Sequence, residues 1–266
     1  MKVSLSKVAL VVSTYNCPGE LVKVLAGVGQ QSRMPDELII ADDGSKELVR
    51  TVVSRWESTS GFSVKHIWQT DEGFRAAKIR NEAIRVSKAD YFIFLDGDCV
   101  PHPRFVEDHI QLSEENIWVQ GRRAFVEQKY VPAYFPRVTN FMKWWILGRT
   151  SGLAKGVRWP GVFWARTDQE ISRIISCNMG IWARDMERVN GFDESYEGWG
   201  LEDTDLGVRL YNAGLRRKIV YGRAVIHHLN HPESPRHELS LNQYKLDQTI
   251  QKKIIRCQRG LEDESD

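Results

Sequence analysis

The sequence predicts an α/β fold in which helices flank a mostly parallel central sheet. Strand-like and helix-like segments alternate through residue 100, a pattern that parallel strands with right-handed crossovers satisfy. The segment from Tyr91 to Leu95 is apolar throughout, as expected for a strand buried on both faces. Three of the predicted strands end in polar clusters, and parallel strands bring such ends to one edge of a sheet. We therefore expect one pocket at that edge.

The individual elements follow from the spacing of apolar residues. Leu21, Val24, Leu25 and Val28 share one helical face, whereas the apolar run that begins at Val8 is continuous, as in a buried strand. The predicted strands, in chain order, are 8–13, 38–41, 64–68, 91–95 and the region around 177–182. The predicted helices are 20–28, 47–56, 76–86, 203–213 with Gly214 as its cap, and a polar helix over about 239–259 that leads into acidic residues expected to fray.

Length, charge and cysteine spacing exclude several classes of protein. The 266 residues fit one large domain, and 37 basic against 35 acidic residues give no reason to expect nucleic-acid binding. The four cysteines lie far apart, which argues against a zinc module and a disulfide scaffold and fits a reducing compartment. No apolar run approaches the roughly 18 residues of a membrane-spanning helix, and the N-terminus lacks a signal-peptide core. We expect a cytoplasmic protein.

Two carboxylates, Asp96 and Asp98, follow the buried strand and are separated by Gly97. Adjacent acids repel one another, and a divalent cation would neutralise them. Ligation by oxygen alone favours Mg²⁺ or Mn²⁺ over zinc. The absence of a side chain at Gly97 would let an anion and its cation approach the backbone. The alternative is an ordinary Asp-Gly turn at the end of a strand.

Asp43 ends the second predicted strand at the same edge of the sheet. Its carboxylate could accept a hydrogen bond from the imide N–H of uracil, although the run Asp42-Asp43-Gly44-Ser45 could equally be a simple turn. Arg75 and Arg80 lie near the start of the third helix, and the forked guanidinium group suits phosphate. A solvent-facing position on the helix is the alternative for both arginines.

A second acidic cluster follows a tryptophan that stands between two glycines. Gly198 and Gly200 free the backbone to present Trp199 as a flat platform, and the C–H faces of sugars pack well on such rings. Glu202 and Asp203 then open a helix, where negative charge complements the helix dipole. That placement also explains both acids without catalysis.

Three histidines, His227, His228 and His231, lie within five residues of one another after an apolar strand. One of these imidazoles could complete the coordination of a cation held by Asp98. A lone histidine is more often structural than a ligand, but three together raise the chance that one binds metal.

Taken together, these residues resemble the family-2 glycosyltransferases of GT-A fold, which have a Rossmann-like, mostly parallel sheet. The similarity is closest to the branch that contains bacterial chondroitin-type polymerases and a galactosyltransferase-like C-terminal segment, and it spans roughly 6–125 and 172–235. The matching motifs are Val12-Ser13-Thr14-Tyr15-Asn16, Ala41-Asp42-Asp43-Gly44-Ser45, Gly73-Phe74-Arg75 through Arg80-Asn81, Asp96-Gly97-Asp98 and Gly198-Trp199-Gly200-Leu201-Glu202-Asp203.

The resemblance implies a donor site and a metal site. Asp98 would ligate Mn²⁺ or Mg²⁺ together with His228, with His227 as the fallback, and Asp96 would touch ribose or the metal through a water. The residues implied to bind the nucleotide-sugar are Ser13, Thr14, Tyr15, Asp43, Arg75, Arg80, Asp96 and Gly97.

The resemblance also implies an inverting displacement at the anomeric carbon. Asp203 would act as general base, Glu202 would bind the acceptor, and Trp199 with Gly200 would form the floor between donor and acceptor. The donor would be UDP-galactose, UDP-N-acetylgalactosamine or UDP-glucose, and the product a β-linked sugar on a glycan or lipid-linked glycan of the bacterial envelope.

Within one domain over 1–266, the nucleotide-sugar half would be 1–120, the acceptor half 121–235 and a helical tail 236–266.

Two features depart from the family pattern. The sequence holds one short catalytic domain where polymerases of this branch carry two, so we expect a single linkage rather than polymerisation. Residues 126–170 match no family motif. Their aromatic and basic residues could rest on a membrane face or form an ordinary aromatic core. These residues are Lys143, Trp144, Trp145, Ile146, Leu147, Arg149, Lys155, Arg158, Trp159 and Trp164.

Two other functions are compatible with parts of the pattern. A sugar-nucleotide pyrophosphorylase shares the layered sheet and the metal, but it needs a Gly-rich basic loop after the first strand. The segment from Ser13 to Pro18 lacks such a loop. A non-catalytic carbohydrate-binding protein on the same frame is the other alternative, and the presence of all three acidic motifs argues against it.

Overall fold

The computed structural model describes residues 7–136, 140–159, 164–231 and 238–263. An eight-stranded sheet and a four-stranded sheet form its framework. The strands are β1 (Val8–Thr14), β2 (Glu37–Asp42), β3 (Val64–Trp68), β4 (Tyr91–Asp96), β5 (Cys99–Pro101), β6 (Ile117–Gln120), β7 (Arg123–Val126), β8 (Thr150–Ser151), β9 (Trp164–Asp168), β10 (Asn178–Trp182), β11 (Arg216–Tyr221) and β12 (Ile226–Leu229). The helices are α1 (Pro18–Val28), α2 (Glu47–Ser60), α3 (Ala76–Arg85), α4 (Phe105–Leu112), α5 (Phe141–Ile146), α6 (Leu153–Gly156), α7 (Ala183–Arg188), α8 (Glu202–Asn212) and α9 (Leu239–Gln251), with a 3-10 helix over Gln128–Ala133.

The larger sheet has the strand order β3-β2-β1-β4-β10-β6-β11-β9. β1 pairs in parallel with β2 and β4, and β2 pairs in parallel with β3. β10 runs antiparallel between β4 and β6, and β9 runs antiparallel to β11 at the edge. The predicted α/β class and the mostly parallel sheet are confirmed. The smaller sheet has the order β5-β12-β7-β8, and its strand β5 begins at Cys99, three residues after β4 ends.

The central strand β4 supplies side chains to two apolar layers. Tyr91, Ile93 and Leu95 belong to the layer that contains the α1 residues, whereas Phe92 and Phe94 belong to the layer that contains the α3 residues. Successive side chains of a strand point to opposite faces, so one apolar run fills both layers. Full burial of each side chain contributes about 1.5–3 kcal/mol. β4 therefore holds the metal-motif residues that follow it on a rigid support.

The C-terminal helix is shorter than predicted. α9 ends at Gln251 rather than near Arg259. Lys253 adopts a left-handed backbone conformation with φ of 51°, and the backbone N–H of Ile254 donates to the Thr249 carbonyl at 3.1 Å. This closure ends the helix without a glycine, so no local sequence signal marks the end of the helix.

The chain beyond α9 is anchored to the body of the protein. The Asn190 side chain donates to the carbonyls of Cys257 and Glu262 at 2.8 Å each, and it accepts from the Glu262 backbone N–H at 2.8 Å. The acidic end, which the sequence predicts to fray, is therefore held as far as Glu262, and 264–266 lie outside the described residues.

The segment 141–159 has a packed face and an exposed face. Trp144 packs edge-on against Tyr134, with ring centroids 5.7 Å apart. Ile146 and Leu147 on the other side are 70% and 50% exposed. The packed face fits the aromatic-core interpretation, and contact of the exposed face with a membrane stays a prediction. In the described ranges no helix has the length and apolar content needed to cross a bilayer.

Candidate active site

A cleft of about 660 Å³ opens where β1, β2 and β4 end. The predicted convergence of the polar strand ends therefore occurs in the structure. The predicted site residues that line the cleft are Ser13, Thr14, Tyr15, Asp43, Arg80, Asp96, Gly97, Asp98, Trp199 and His228. Those that do not line it are Arg75, Gly200, Glu202 and Asp203.

Asp98, His228 and His231 form a group that could hold a metal ion, with one ligand atom from each lying within 4.8 Å of the others. The Nε2 atoms of His231 and His228 are 2.9 Å and 3.6 Å from Oδ2 of Asp98. Burial works against ionisation of Asp98, but the hydrogen bond from His231 and the nearby His228 outweigh it and lower the pKa of Asp98. An ionised carboxylate beside two imidazoles is a chemically reasonable donor set for a divalent transition metal.

The neighbouring His227 is structural. Its Nδ1 accepts from the Tyr134 hydroxyl at 2.7 Å, and its Nε2 donates to the Gly156 carbonyl at 2.8 Å. Its ring also stacks on Phe141 with centroids 4.2 Å apart. Both nitrogens are occupied, so the fallback ligand is unsuited to a cation. The alternation of side chains along β12 places His227 and His228 on opposite faces.

Gly97 allows β1 and β4 to approach closely. A Cβ atom at this position would lie 3.0 Å from the Ser13 carbonyl oxygen and 3.0 Å from Cβ of Thr14. The Gly97 N–H donates to that same carbonyl at 2.6 Å. The glycine thus has a structural requirement in addition to the space it leaves for a ligand.

Asp43 is buried at the end of β2 and is fixed from the α3 side. Its Oδ2 accepts from the Arg75 backbone N–H at 2.7 Å, and its Oδ1 accepts from the Gln69 side chain. Burial raises the pKa of Asp43, opposed by these hydrogen bonds. The Arg75 guanidinium points elsewhere, to Glu72 and the Thr70 carbonyl.

Arg80 joins three elements of the site. Its Nε donates to Ser13 Oγ at 3.1 Å, its Nη2 to Asp96 Oδ1 at 3.3 Å, and its Nη1 to Glu202 Oε1 at 3.1 Å. The Arg80 side chain is only 5% exposed. Burial raises the pKa of Asp96 to about 6, with Arg80 opposing the rise. Arg80 therefore links the ends of β1 and β4 to the start of α8.

Glu202 and Asp203 begin α8, as the sequence predicts. Asp203 Oδ2 accepts from the Ser176 backbone N–H at 3.3 Å. Burial and then the charge of Glu202 raise the pKa of Asp203 to about 7, with Arg80 opposing them. A carboxylate that titrates near neutrality is suited to general base catalysis. Neither acid is among the residues that line the cleft, and Glu202 is linked to the cleft through Arg80.

The loop that carries Trp199 is held by the C-terminal helix. Gly198 and Gly200 have φ of 72° and 105°, conformations that favour glycine. The fully buried Asn242 of α9 donates to the carbonyls of Glu197 and Gly200 at 3.0 Å each. Trp199 thereby lines the cleft on a fixed loop. Sequence reasoning missed Asn242, since a single asparagine in a polar helix carries no local signal.

Sequence reasoning also missed Arg123 and did not assign His231 as a ligand. Arg123 begins β7 and lines the cleft, with its guanidinium 5.3 Å from the centre of the Phe125 ring. Within the described part of the chain it has no carboxylate at ion-pair distance. His231 follows β12 at a spacing from His228 that no strand period explains, so only their placement beside Asp98 identifies it.

Comparison with known proteins gives the family of this fold. The chain belongs to glycosyl transferase family 2, whose model matches residues 9–171. A second family model, described as the N-terminal domain of galactosyltransferase, matches residues 165–235. Both parts of the predicted resemblance are confirmed.

Several curated relatives are synthases of polysaccharides. Chondroitin synthase of Escherichia coli is 28% identical over 239 residues, which cover 82% of this chain and 34% of that protein. Hyaluronan synthase of Pasteurella multocida is 25% identical over 236 residues, which cover 82% of this chain and 24% of that protein. Validoxylamine A glucosyltransferase of Streptomyces hygroscopicus subsp. limoneus is 28% identical over 222 residues, which cover 78% of this chain and 48% of that protein. The chain thus spans less than half the length of each.

Solved structures confirm the GT-A fold. The crystal structure of S. aureus TarS residues 1–349 in complex with UDP superposes with a TM-score of 0.63 and 16% identity, covering 97% of this chain and 68% of that one. The longer TarS structure gives a TM-score of 0.62, also at 16% identity, covering 97% of this chain and 41% of that one.

Proposed function

We propose that this protein is a metal-dependent, inverting glycosyltransferase that moves a hexose or N-acetylhexosamine from a UDP-sugar to a hydroxyl group of a glycan. The observation that carries the proposal is the convergence of Asp43, Asp98 and His228 on one cleft of a family 2 domain. The UDP held by the structurally similar TarS and the polysaccharide synthases among the relatives support it. UDP-galactose, UDP-N-acetylgalactosamine and UDP-glucose are the donors to test first.

The donor would lie along the ends of β1, β2 and β4. Asp43 would accept a hydrogen bond from the uracil N–H, and Tyr15, which is 47% exposed, would cover the base. Arg123 provides a positive charge in the cleft without a carboxylate partner among the described residues, which suits it to the diphosphate. Arg80 would act by orienting Ser13 and Asp96, since its nitrogens already bind them.

Asp98, His228 and His231 would hold the metal, and their chemistry favours Mn²⁺ over Mg²⁺. Mg²⁺ strongly prefers oxygen ligands, whereas two of these three donors are imidazole nitrogens. When bound, the ion would supply charge that stabilises the departing diphosphate. Asp96 is not part of this group and pairs with Arg80, so we assign it to the donor sugar or ribose.

Asp203 would take the proton from the acceptor hydroxyl. Its pKa of about 7 keeps the carboxylate largely ionised just above neutrality and still basic enough to accept a proton. Glu202 would bind the acceptor and Trp199 would support the sugar ring. Attack opposite the leaving group inverts the anomeric carbon, so an α-linked donor gives a β-linked product.

Three consecutive segments of the chain would have different roles. Residues 1–120 would bind the nucleotide, 121–235 the acceptor, and 236–266 would support the Trp199 loop through Asn242.

The exposed Trp145, Ile146 and Leu147, close to Lys143, would allow contact with the inner membrane face. Co-sedimentation with anionic vesicles tests this contact, and a triple substitution of the three apolar residues by serine should abolish it.

Calorimetric titration of UDP with and without Mn²⁺ tests the central proposal. We expect binding that strengthens markedly with Mn²⁺ in the natural protein and loses this dependence in Asp98→Asn. Asp247→Asn, which changes a carboxylate on α9 outside the cleft, is the matched control. Absence of UDP binding, or binding indifferent to the metal, would overturn the proposal. Turnover of the three UDP-sugars with a glycan panel then separates an enzyme from a binding protein.

A further inference from the structure

We infer that a second pocket, separate from the cleft in its lining residues, binds an oxyanion carried by the acceptor, either a carboxylate or a phosphate. The pocket has a volume of about 290 Å³ and is lined by residues of β9 and β11 and by residues that follow β6 and β9. Four arginines line it, namely Arg122, Arg166, Arg173 and Arg217. The inference rests on the proposed function, since that function places the acceptor on this side of the sheet.

The pocket carries more positive than negative charge. Arg166 is paired with Asp168 and Glu170 at 2.8 Å and 2.9 Å, and Arg217 shares Asp168 at 3.1 Å. Arg122 and Arg173 have no ion-pair partner in the described ranges. Four guanidinium groups therefore face two carboxylates, which leaves an excess of two positive charges.

Two guanidinium nitrogens in the pocket are buried donors without a hydrogen-bond partner among the described residues. They are Nη2 of Arg217 and Nε of Arg122. The Arg217 side chain is 0% exposed, so its unpaired donor has lost contact with water, which is unfavourable unless a ligand compensates. A carboxylate or phosphate accepts from the forked guanidinium group with matching geometry.

Neighbouring rings hold these arginines in place. The Arg122 guanidinium donates to the Tyr221 hydroxyl at 3.0 Å and lies 5.3 Å from the centre of the same ring. The Arg217 guanidinium lies 5.8 Å from the Trp118 ring, and its Nη1 donates to the Ser172 carbonyl at 3.2 Å. The positive groups are thus ordered before any ligand arrives, which lowers the entropic cost of binding.

Residues of the pocket are close along the chain to residues that contact the proposed base or line the cleft. Arg173 precedes by three residues Ser176, whose backbone N–H contacts Asp203 at 3.3 Å. Three residues reach at most roughly 11 Å. Arg122 is followed directly by Arg123, which lines the cleft. An anionic group on an acceptor whose hydroxyl meets Asp203 could therefore lie in this pocket.

Ligand-observed NMR titrations of the full chain test the inference with two pairs of probes. The first pair is cellobiouronic acid and cellobiose, and the second is glucose 1-phosphate and methyl glucoside. Arg122→Gln and Arg173→Gln each remove one unpaired charge. Arg50→Gln, on the exposed side of α2, is the control. UDP titration with Mn²⁺ is run on every variant.

We expect at least one anionic probe to bind about tenfold tighter than its neutral partner. Arg122→Gln and Arg173→Gln should each bind that anionic probe about tenfold more weakly than the natural protein does. A carboxylate preference would indicate an acidic sugar, and a phosphate preference a phosphorylated acceptor. Equal binding of charged and neutral probes, or equal loss in Arg50→Gln, would overturn the inference. Anion binding without any UDP binding would instead retain the pocket and reject the proposed function.

Discussion

Nε2 of His231 lies 2.9 Å from Oδ2 of Asp98, so a residue beyond the end of β12 makes the shortest imidazole contact with the carboxylate of the candidate metal site. His228, which the sequence pattern favours, lies farther from the same oxygen at 3.6 Å. His231 is therefore as strong a candidate metal ligand as His228.

We expect His231→Ala and His228→Ala each to weaken Mn²⁺-dependent UDP binding by at least about tenfold, because loss of a metal-site residue commonly costs that much or more. Calorimetry in the presence of Mn²⁺ measures the effect. His102→Gln, a histidine outside the cleft, should bind normally. Normal affinity in His231→Ala would remove that residue from the metal site.

Strands β1 to β4, their parallel pairing and the cleft at their ends were predictable because their signals are local. The apolar run from Tyr91 to Leu95 predicts β4, and Asp96 and Asp98 come at the end of that run. In a parallel sheet such ends share one edge, so the sequence places Asp43 near them. Local periodicity and turn chemistry were sufficient for that part of the site.

The remaining site depends on contacts that no local pattern encodes. Arg80 bonds to Glu202 across 122 positions of the chain, and the sequence offered phosphate binding or solvent exposure for this arginine instead. Asn242 holds the Trp199 loop from another helix. Ion pairs and buried amides of this kind are set by tertiary packing, which periodicity does not report.

Asp203→Asn should abolish transfer while changing UDP–Mn²⁺ affinity by less than about twofold, because the substitution removes a base but keeps the shape of the side chain. Steady-state kinetics with an active donor and calorimetry give the two readouts. Asp247→Asn, the same substitution on α9 outside the cleft, should retain activity. Normal turnover by Asp203→Asn would show that another group takes the proton.

Arg80→Met should destabilise the fold by about 3–5 kcal/mol, since removal of one partner leaves a buried charge uncompensated. The side chains of Arg80 and Glu202 are 5% and 9% exposed, so water cannot replace the lost partner. Urea denaturation measures the change. The double variant Arg80→Met with Glu202→Gln should recover part of the loss, and strictly additive effects would contradict the coupling.

Gly97→Ala should destabilise the protein by about 1–3 kcal/mol, because the added methyl group must displace β1 from its close approach to β4. The same displacement should weaken UDP binding, since Ser13 and Thr14 line the cleft. Gly19→Ala in α1 is the matched control, as a Cβ there would meet no atom within 4 Å. Unchanged stability in Gly97→Ala would mean that the glycine is needed only for the space it leaves to a ligand, and not for the close approach of β1 to β4.

The rate of transfer should fall in acid with a midpoint set by Asp203. The general base acts only when deprotonated, and burial beside Glu202 raises its pKa to about 7. Below that value kcat/KM should decrease by about tenfold per pH unit, whereas above it the rate should level off. Glu202→Gln removes a neighbouring negative charge and leaves Arg80 in place, so it should lower the pKa of Asp203 and move the acid limb to lower pH, whatever it does to the maximal rate. A profile of kcat/KM against pH for both proteins, at saturating Mn²⁺, gives the comparison. An acid limb that stays in place in Glu202→Gln would assign the titration to a different group.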